Sequence, residues 1–309
     1  MPRMSRRRGF KSRRRPRTSR FRSRFRSTAS TRSRRTRRPA RGRMSRRRIL
    51  NIASIKKRDN MLSMVHAPSV FPPTIGPITV GTGFTSLYMP SARPLSPAND
   101  LGESGRQRRD TYSVGYKERV QVDIHGGGVW KWRRVVFTLK GDRLYNGGEF
   151  IGEWTQPFHS KAIKQEEEPL GVDMVRLIAQ PTTEQHTAIK AAIWDGEEGV
   201  DWSTEYTAKV STKHINVLSD RTFNFNPGNE SGMSRSFRFW YPTHKNLIYA
   251  DDEFGGAVFD RGSPRSVESR QGMGDLYVYD IAFAVVPSSG EPTASMTWTP
   301  EGTYYWHER

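Results

Sequence analysis

The sequence predicts an all-β body, a single antiparallel jelly roll of the Greek-key β-sandwich type, preceded by a disordered arginine-rich arm. The first 58 residues hold 26 of the 51 Lys and Arg residues and none of the 31 Asp and Glu residues. The rest of the chain alternates polar residues with β-branched and aromatic ones over many short segments separated by Gly- and Pro-rich turns. Many strands joined by long connections of unequal length favour a jelly roll over an up-and-down barrel.

The basic arm, residues 1–58, points to a polyanionic partner. Its like charges repel, and no apolar residue recurs at helical spacing over residues 1–48, so we expect that segment to be disordered when free. Nucleic acid, bound through its phosphates, is the polyanion that it fits best. Arginine prevails because a guanidinium forks onto phosphate oxygens, whereas an ammonium is a point charge. The predicted contacts are Arg6, Arg7, Arg8, Lys11, Arg13, Arg14, Arg15, Arg17, Arg20, Arg22, Arg24, Arg26, Arg34, Arg35, Arg37, Arg38, Arg46, Arg47 and Arg48.

Two further features of the arm suggest function. Phe10, Phe21 and Phe25 lie among the arginines and are predicted to stack on unpaired bases; the alternative is that they have no specific role. Basic clusters near the end of the arm are typical of nuclear-localisation signals, which makes a nuclear import receptor an expected partner. These clusters consist of Arg46, Arg47, Arg48, Lys56, Lys57 and Arg58.

The body, residues 59–309, is mildly acidic, with 25 basic and 31 acidic residues and a net charge of −6. The chain has no cysteine, which excludes disulfides, Cys-based zinc sites and a thiol nucleophile. No apolar run approaches the ~18 residues of a membrane span, and no apolar signal region follows the positive start, so no membrane association is expected.

The elements of the body can be predicted in chain order. Residues 49–66 suit either a short helix or an extended tether, and residues 67–105 suggest irregular structure because they are rich in Pro and Gly. From residue 110 a half-buried strand runs to Ile124, a glycine turn follows, and Val129 to Lys140 forms a second strand, so the two are predicted to pair as a hairpin.

One helix is predicted in the body, from Thr183 to Trp194, with Thr182 or Thr183 as its N-cap. The other predicted strands are residues 172–178, 206–218, 221–226, 237–241, 275–286 and 294–306. The two predicted strands that follow the helix, residues 206–218 and 221–226, are separated by Ser219 and Asp220. The strand over residues 275–286 is the most apolar and is predicted to be central.

The sequence contains little that indicates catalysis. It has no phosphate-cradling P-loop, no complete dinucleotide fingerprint and no H-E-x-x-H, and its seven histidines have no metal-ligand spacing. We therefore predict no catalytic residue, no metal site and no cofactor. Two acidic runs, residues 166–168 and 251–253, are predicted to be solvated surface, with intersubunit ion pairs or Ca²⁺ as alternatives. The eight tryptophans exceed the needs of one core, which suggests that several lie at interfaces.

Three strings resemble the coat proteins of genomoviruses, small circular single-stranded DNA viruses related to geminiviruses. They are KKRDNML at residues 56–62, VWKWRRVVF at residues 129–137, and the series DRT, NPG and FWYP between residues 220 and 242. The resemblance implies a structural capsid protein without catalytic residues. It implies a jelly roll that assembles into an icosahedral (T=1) shell of about 60 copies, with the arm inside on viral single-stranded DNA.

Two other classes of protein remain open. A cellular chromatin- or RNA-associated protein with an Arg/Ser tail would have the same arm, although the body has no recognisable RNA-binding module such as an RRM. An enzyme tethered to nucleic acid is disfavoured because the sequence contains no catalytic pattern. For the capsid protein, the expected locations are the virion and, during infection, the host nucleus.

The arm should supply most of the affinity for nucleic acid. If about 20 of its charges contact a single strand, the logarithm of the association constant should fall with the logarithm of salt concentration at a slope of about −14, since each charge contributes about −0.7. A truncation that begins at Asn51 should lose tight binding to single-stranded DNA at moderate salt, as measured by fluorescence anisotropy. Tight binding by that truncation would contradict the assignment.

Overall fold

The structure, a computed structural model, describes residues 44–67, 70–93, 95, 104–141, 143–144, 174–228, 230–251, 264–285 and 294–309. Its contacts divide the chain into two units, Met1–Ser45 and Arg46–Arg309. The second unit contains all of the described helices and strands, and the predicted all-β class is confirmed for it.

The described elements are two helices and twelve strands. They are α1 (Arg46–Ala53), β1 (Ile55–Met61), β2 (Ser63–Ala67), β3 (Val70–Ile75), β4 (Ile78–Val80), β5 (Gly83–Tyr88), β6 (Asp110–His125), β7 (Val129–Leu139), β8 (Arg176–Ala179), α2 (Thr183–Ile193), β9 (Asn216–Phe225), β10 (Met233–Ile248), β11 (Asp275–Val285) and β12 (Ser295–Glu308). The predicted domain boundary at residue 58 falls inside β1, so the end of the predicted arm is part of a sheet.

Two antiparallel sheets form most of the body. The five-stranded sheet has the order β1-β12-β6-β10, with β4 also paired to β12, and the four-stranded sheet has the order β5-β11-β7-β9. A smaller sheet, β3-β2-β8, contains the parallel pair β2 and β8. The chain moves repeatedly from one large sheet to the other, so strands that are neighbours in a sheet are distant in the sequence.

The main core lies where the two large sheets contribute apolar side chains to one buried cluster. Its members from the five-stranded sheet include Val120, Val122, Met296 and Trp298, and those from the four-stranded sheet include Trp130, Trp132, Val136 and Val278. These residues alternate along their strands with residues that face the other way, as the pleat requires.

A second core covers the opposite face of the four-stranded sheet. The residues of β7 and β11 that alternate with the first set, among them Val135, Phe137, Tyr277 and Tyr279, pack with Ile189 and Ile193 of α2. Because both faces of β11 are buried, its sequence is almost continuously apolar, which explains why it was predicted to be central.

Helix α2 begins as predicted. The Thr182 hydroxyl accepts a hydrogen bond from the Gln185 backbone N–H, and the Gln185 side chain accepts one from the Thr182 N–H. This reciprocal capping box satisfies two N–H groups that the first turn leaves without partners.

The predicted hairpin of β6 and β7 is wrong. β6 pairs with β12 and β10, whereas β7 pairs with β11 and β9, so the glycine turn at residues 126–128 carries the chain from one sheet to the other. The alternation of apolar and polar residues correctly predicts the extent of each strand, but it does not reveal which strand is its partner.

Three more predictions need correction. A single strand, β9, runs through Ser219 and Asp220, where a break between two strands was expected; the register of β9 against β7 shifts at this point. Residues 67–105 were expected to be irregular, yet they contribute β3, β4 and β5. Residues 206–215, which were expected to be strand, precede β9 and form turns and one isolated bridge.

Candidate functional site

Most of the predicted nucleic-acid contacts lie outside the described residues. This applies to every predicted contact from Arg6 to Arg38. It also applies to the three residues predicted to stack on bases, Phe10, Phe21 and Phe25. Residues 46–48 begin α1, and the side chain of Arg48 is exposed.

The predicted localisation signal continues into β1, where its three residues have different environments. Lys56 and Arg58 are exposed, but Lys57 is buried. The Lys57 ammonium donates to the Gly105 carbonyl at 2.5 Å and lies 3.5 Å from the Glu308 carboxylate. Lys57 therefore serves the fold, in contrast to the prediction that it forms an accessible part of the signal.

The start of the body is fastened by a second buried ion pair. Arg93 donates to Asp59 of β1, and its guanidinium lies 5.6 Å from the ring centre of Tyr304 and 5.3 Å from that of Trp306. Cation–π contacts of this kind add to the ion pair when they are shielded from water. The chain that follows the arm is thus held at the β1 edge of the five-stranded sheet.

The outer face of the five-stranded sheet combines cations with accessible aromatic rings. We call six of its residues the basic sheet face: Arg58, Lys117, Arg119, Arg238, Trp240 and Tyr305. They come from β1, β6, β10 and β12, and the strand register brings them together. Arg238 is the Cα partner of Arg119, Trp240 that of Lys117, and Arg58 that of Tyr305.

The two aromatic side chains of the basic sheet face, Trp240 and Tyr305, pack against each other. The Trp240 side chain is 46% exposed, although its ring centre lies only 5.8 Å from that of Tyr305, edge to face. The indole also lies against Gly115, where an added Cβ would come within 2.9 Å of the Trp240 ring. The absence of a side chain at residue 115 therefore lets the indole lie along the sheet.

The basic sheet face carries an excess of positive charge. Within the described part of the chain, Lys117, Arg119 and Arg238 form no ion pair, although Glu301 is the Cα partner of Arg119 on β12. At the adjoining end of β12, burial and the nearby cations Lys56 and Arg309 lower the pKa of His307.

A network of four charged residues lies deep in the main core. Glu118, Arg134, Arg176 and Asp280 are each at most 1% exposed. Arg134 donates to Asp280 at 2.6 and 2.9 Å and also to Glu118. Arg176 donates to Glu118 at 2.6 Å and to Asp280 at 3.1 Å. The two carboxylates and two guanidiniums cancel, so the cluster carries no net charge.

Neutral donors complete the network. Tyr116 donates to Glu118 at 2.9 Å, and the Trp132 indole donates to Asp280 at 2.8 Å. Burial alone would raise the pKa of Glu118, but the adjacent Arg134 and Arg176 outweigh burial and lower it. With both carboxylates hydrogen-bonded and shielded from water, this cluster has a structural role and joins its strands in the core.

Asp275, at the start of β11, has a different environment. It is 2% exposed and accepts hydrogen bonds from the Ser266 backbone N–H at 2.9 Å and hydroxyl at 3.0 Å. Burial raises its pKa to about 7, although the hydrogen bonds from Ser266 act in the opposite direction. The carboxyl is therefore largely protonated below neutral pH.

A second polar cluster lies beneath α2. His186 Nε2 is 2.7 Å from one Glu205 carboxylate oxygen, and the Tyr279 hydroxyl donates to the other at 2.5 Å. The hydrogen bonds from His186 and Tyr279 outweigh burial and lower the pKa of Glu205. The carboxylate is thus an acceptor for both neighbours, and the cluster joins the helix to the four-stranded sheet.

The remaining predictions concern acidic residues and metals. Residues 166–168 lie outside the described part, while Asp251 of the second acidic run is buried and forms a bidentate pair with Arg106 at 2.5 and 2.9 Å. It is therefore not solvated surface. Among the described residues, no group of three His, Asp or Glu side chains is arranged to hold a metal ion. No helix in the described ranges is long and apolar enough to cross a membrane.

The sequence prediction did not include the basic sheet face. The alternation of Arg238 and Trp240 with Phe237 and Phe239 already placed the polar set on one side of a strand. What the sequence did not reveal is that β10 lies beside β6, so that Arg119 comes next to Arg238. That adjacency depends on a pairing between segments more than a hundred residues apart.

No family model matches the chain, and no curated protein is significantly similar to it.

The buried network should be essential for stability. Arg134→Met would leave two carboxylates with one guanidinium in the core, so we expect a loss of about 3–5 kcal/mol in the free energy of unfolding. Urea unfolding followed by tryptophan fluorescence would measure this loss. The matched control is Arg221→Met, at the exposed Cα partner of Arg134 on β9, with an expected change within about 0.5 kcal/mol. Equal effects at the two positions would refute the assignment.

Asp275 should make the protein less stable as the pH rises towards neutrality. An Asp in the unfolded chain titrates near pH 3.9, so between about pH 4 and 7 the folded protein holds one more proton than the unfolded chain. The contribution of this residue to the free energy of unfolding therefore falls across that window, by on the order of 4 kcal/mol.

Unfolding of the wild type and Asp275→Asn, measured in urea from pH 4 to pH 8, would test this. The asparagine resembles the protonated carboxyl, so the variant should gain stability relative to the wild type as the pH rises. The control is the exposed Asp110→Asn, which should follow the wild-type profile. Parallel pH profiles for the wild type and Asp275→Asn would show that the buried carboxyl does not take up a proton.

Proposed function

We propose that the protein is a structural capsid protein that self-assembles into a small icosahedral shell and packages circular single-stranded DNA through its N-terminal arm. The observation that carries the proposal is the separation of charge along the chain. An arm with 26 cations and no acid precedes a β body with a net charge of −6. Such an arm neutralises a polyanion, while the body provides surfaces for contacts between copies.

The strand order supports a jelly roll as the finer description of the body. The orders β1-β12-β6-β10 and β5-β11-β7-β9 give four consecutive strands in each of the two large sheets. Among these eight strands the chain crosses to the other sheet at every step except from β7 to β9. An eight-stranded double sheet of this kind, built from two Greek keys, is an architecture used by viral capsid domains.

The total charge of the arms fits a small genome. A closed icosahedral shell of equivalent chains needs about 60 copies, and 60 arms supply about 1,600 positive charges. A single strand carries one negative charge per nucleotide, so a circle of roughly one to three thousand nucleotides would be neutralised to order of magnitude. In this proposal the exposed Lys56 is accessible to an import receptor before assembly, which suits a protein found in the virion and in the host nucleus.

Electron microscopy of the purified full chain tests the proposal. After nuclease treatment, negative stain should show uniform shells on the order of 20 nm across, and a single-stranded DNA of defined length should be recovered from them. Nuclease-resistant cellular RNA or fragmented DNA on unassembled protein would instead support the cellular nucleic-acid-binding alternative. Monomers without protected nucleic acid would overturn both.

A further inference from the structure

We propose that the basic sheet face is a second nucleic-acid site, on which unpaired bases stack against Trp240 and Tyr305 while Lys117, Arg119 and Arg238 hold the flanking phosphates. This inference rests on the proposed function, because it assumes a single-stranded polynucleotide partner. It differs from the arm in chemistry, since the arm acts mainly through charge.

The first argument comes from the pairing of Arg238 with Arg119. These residues are directly opposite each other on antiparallel strands, and like charges in this position destabilise a sheet. Glu301, on the neighbouring strand β12, is the Cα partner of Arg119 on its other side, but no ion pair joins these two side chains among the described residues. A phosphate bound between the two guanidiniums would relieve the repulsion, so the arrangement favours an anionic ligand.

The second argument comes from Trp240. Trp240 is 46% exposed on a sheet face, although its ring packs edge to face with Tyr305 and lies against Gly115. An accessible aromatic ring with cations at neighbouring strand positions is the arrangement that single-strand-binding proteins use, because every base has a face that can stack.

The third argument comes from continuity with the arm. The chain leaves α1 directly into β1, which is the edge strand of the same sheet and contributes Arg58 to the basic sheet face. Across β10, β6, β12 and β1 the face measures roughly 14 Å, which is three inter-strand spacings. The segment that follows the arm in the sequence therefore forms part of this surface, whereas a folded acidic protein would require a matching flat face.

Photo-cross-linking with the full chain would locate the site. A 30-nucleotide oligo-dT containing 5-iododeoxyuridine should cross-link to Trp240, detected as a modified tryptic peptide covering residues 239–245. An oligo-U analogue should behave in the same way, because stacking uses the face of the base. A 30-base-pair duplex should give little of this product, since its bases are already stacked. Cross-links confined to arm peptides would overturn the proposal but leave the proposed function intact.

Affinity measurements on full-length variants give an independent test. At a salt concentration that weakens arm binding, Trp240→Leu should reduce affinity for oligo-dT roughly tenfold, whereas Trp240→Phe should retain most of it. The double variant Arg119→Gln with Arg238→Gln should make the salt slope less steep by about 1.4. The control Arg221→Gln removes an exposed arginine from the other large sheet and should change affinity little.

The outcomes separate the two proposals. If Trp240→Leu and the double arginine variant bind oligo-dT like the wild type, the basic sheet face is not a nucleic-acid site, although the arm assignment stands. If polyglutamate competes at the face as well as oligo-dT does, the surface binds acidic polypeptides and base stacking is refuted. If the wild-type chain binds no nucleic acid at all, the proposed function itself fails.

Discussion

The ionic network of Glu118, Arg134, Arg176 and Asp280 is the constraint on which the rest of the body depends. Glu118 belongs to the five-stranded sheet, Arg134 and Asp280 to the four-stranded sheet, and Arg176 to the smallest sheet, so one cluster joins all three. An apolar set of equal volume could be as stable, because desolvating four charges is costly. What the charged residues add is that they favour one register of the strands over others. A shift of one residue in any of these strands would turn a charged side chain to the other face and leave its partners unpaired in the core.

The outer sides of the two large sheets differ in character. Helix α2 and the segment after it cover the outer side of the four-stranded sheet and convert it into a second core. The outer side of the five-stranded sheet instead carries the cations and aromatic rings of the basic sheet face. Its N-terminal edge strand is locked by the Lys57 and Arg93 ion pairs. The junction with the arm and the accessible basic surface therefore belong to the same sheet.

Much of the fold could be predicted from local patterns, because alternation and capping are encoded by residues close together in the sequence. The extents of β6, β7 and β11 and the start of α2 at Thr182 follow from such patterns. The β6–β7 hairpin was wrong because alternation is the same whether a strand pairs with its neighbour or crosses to a facing sheet. The buried pairs of Lys57 and Asp251 were missed for a related reason: a charge in a polar segment looks solvated until a distant partner is known.

The net charge of −6 for the body is an average that does not show the local positive charge of the basic sheet face. An average over 251 residues predicts repulsion of a polyanion, but phosphates respond to the local field within about a Debye length. In this proposal the charge of the arm attracts any polyanion and does not by itself distinguish a single strand from a duplex. Within the arm, only the predicted stacking of Phe10, Phe21 and Phe25 would make that distinction. Stacking on the exposed Trp240 indole can make that distinction, because it requires unpaired bases and is less sensitive to salt than charge neutralisation. In this proposal the arm supplies the charge that condenses the strand, and the folded body adds a preference for unpaired bases.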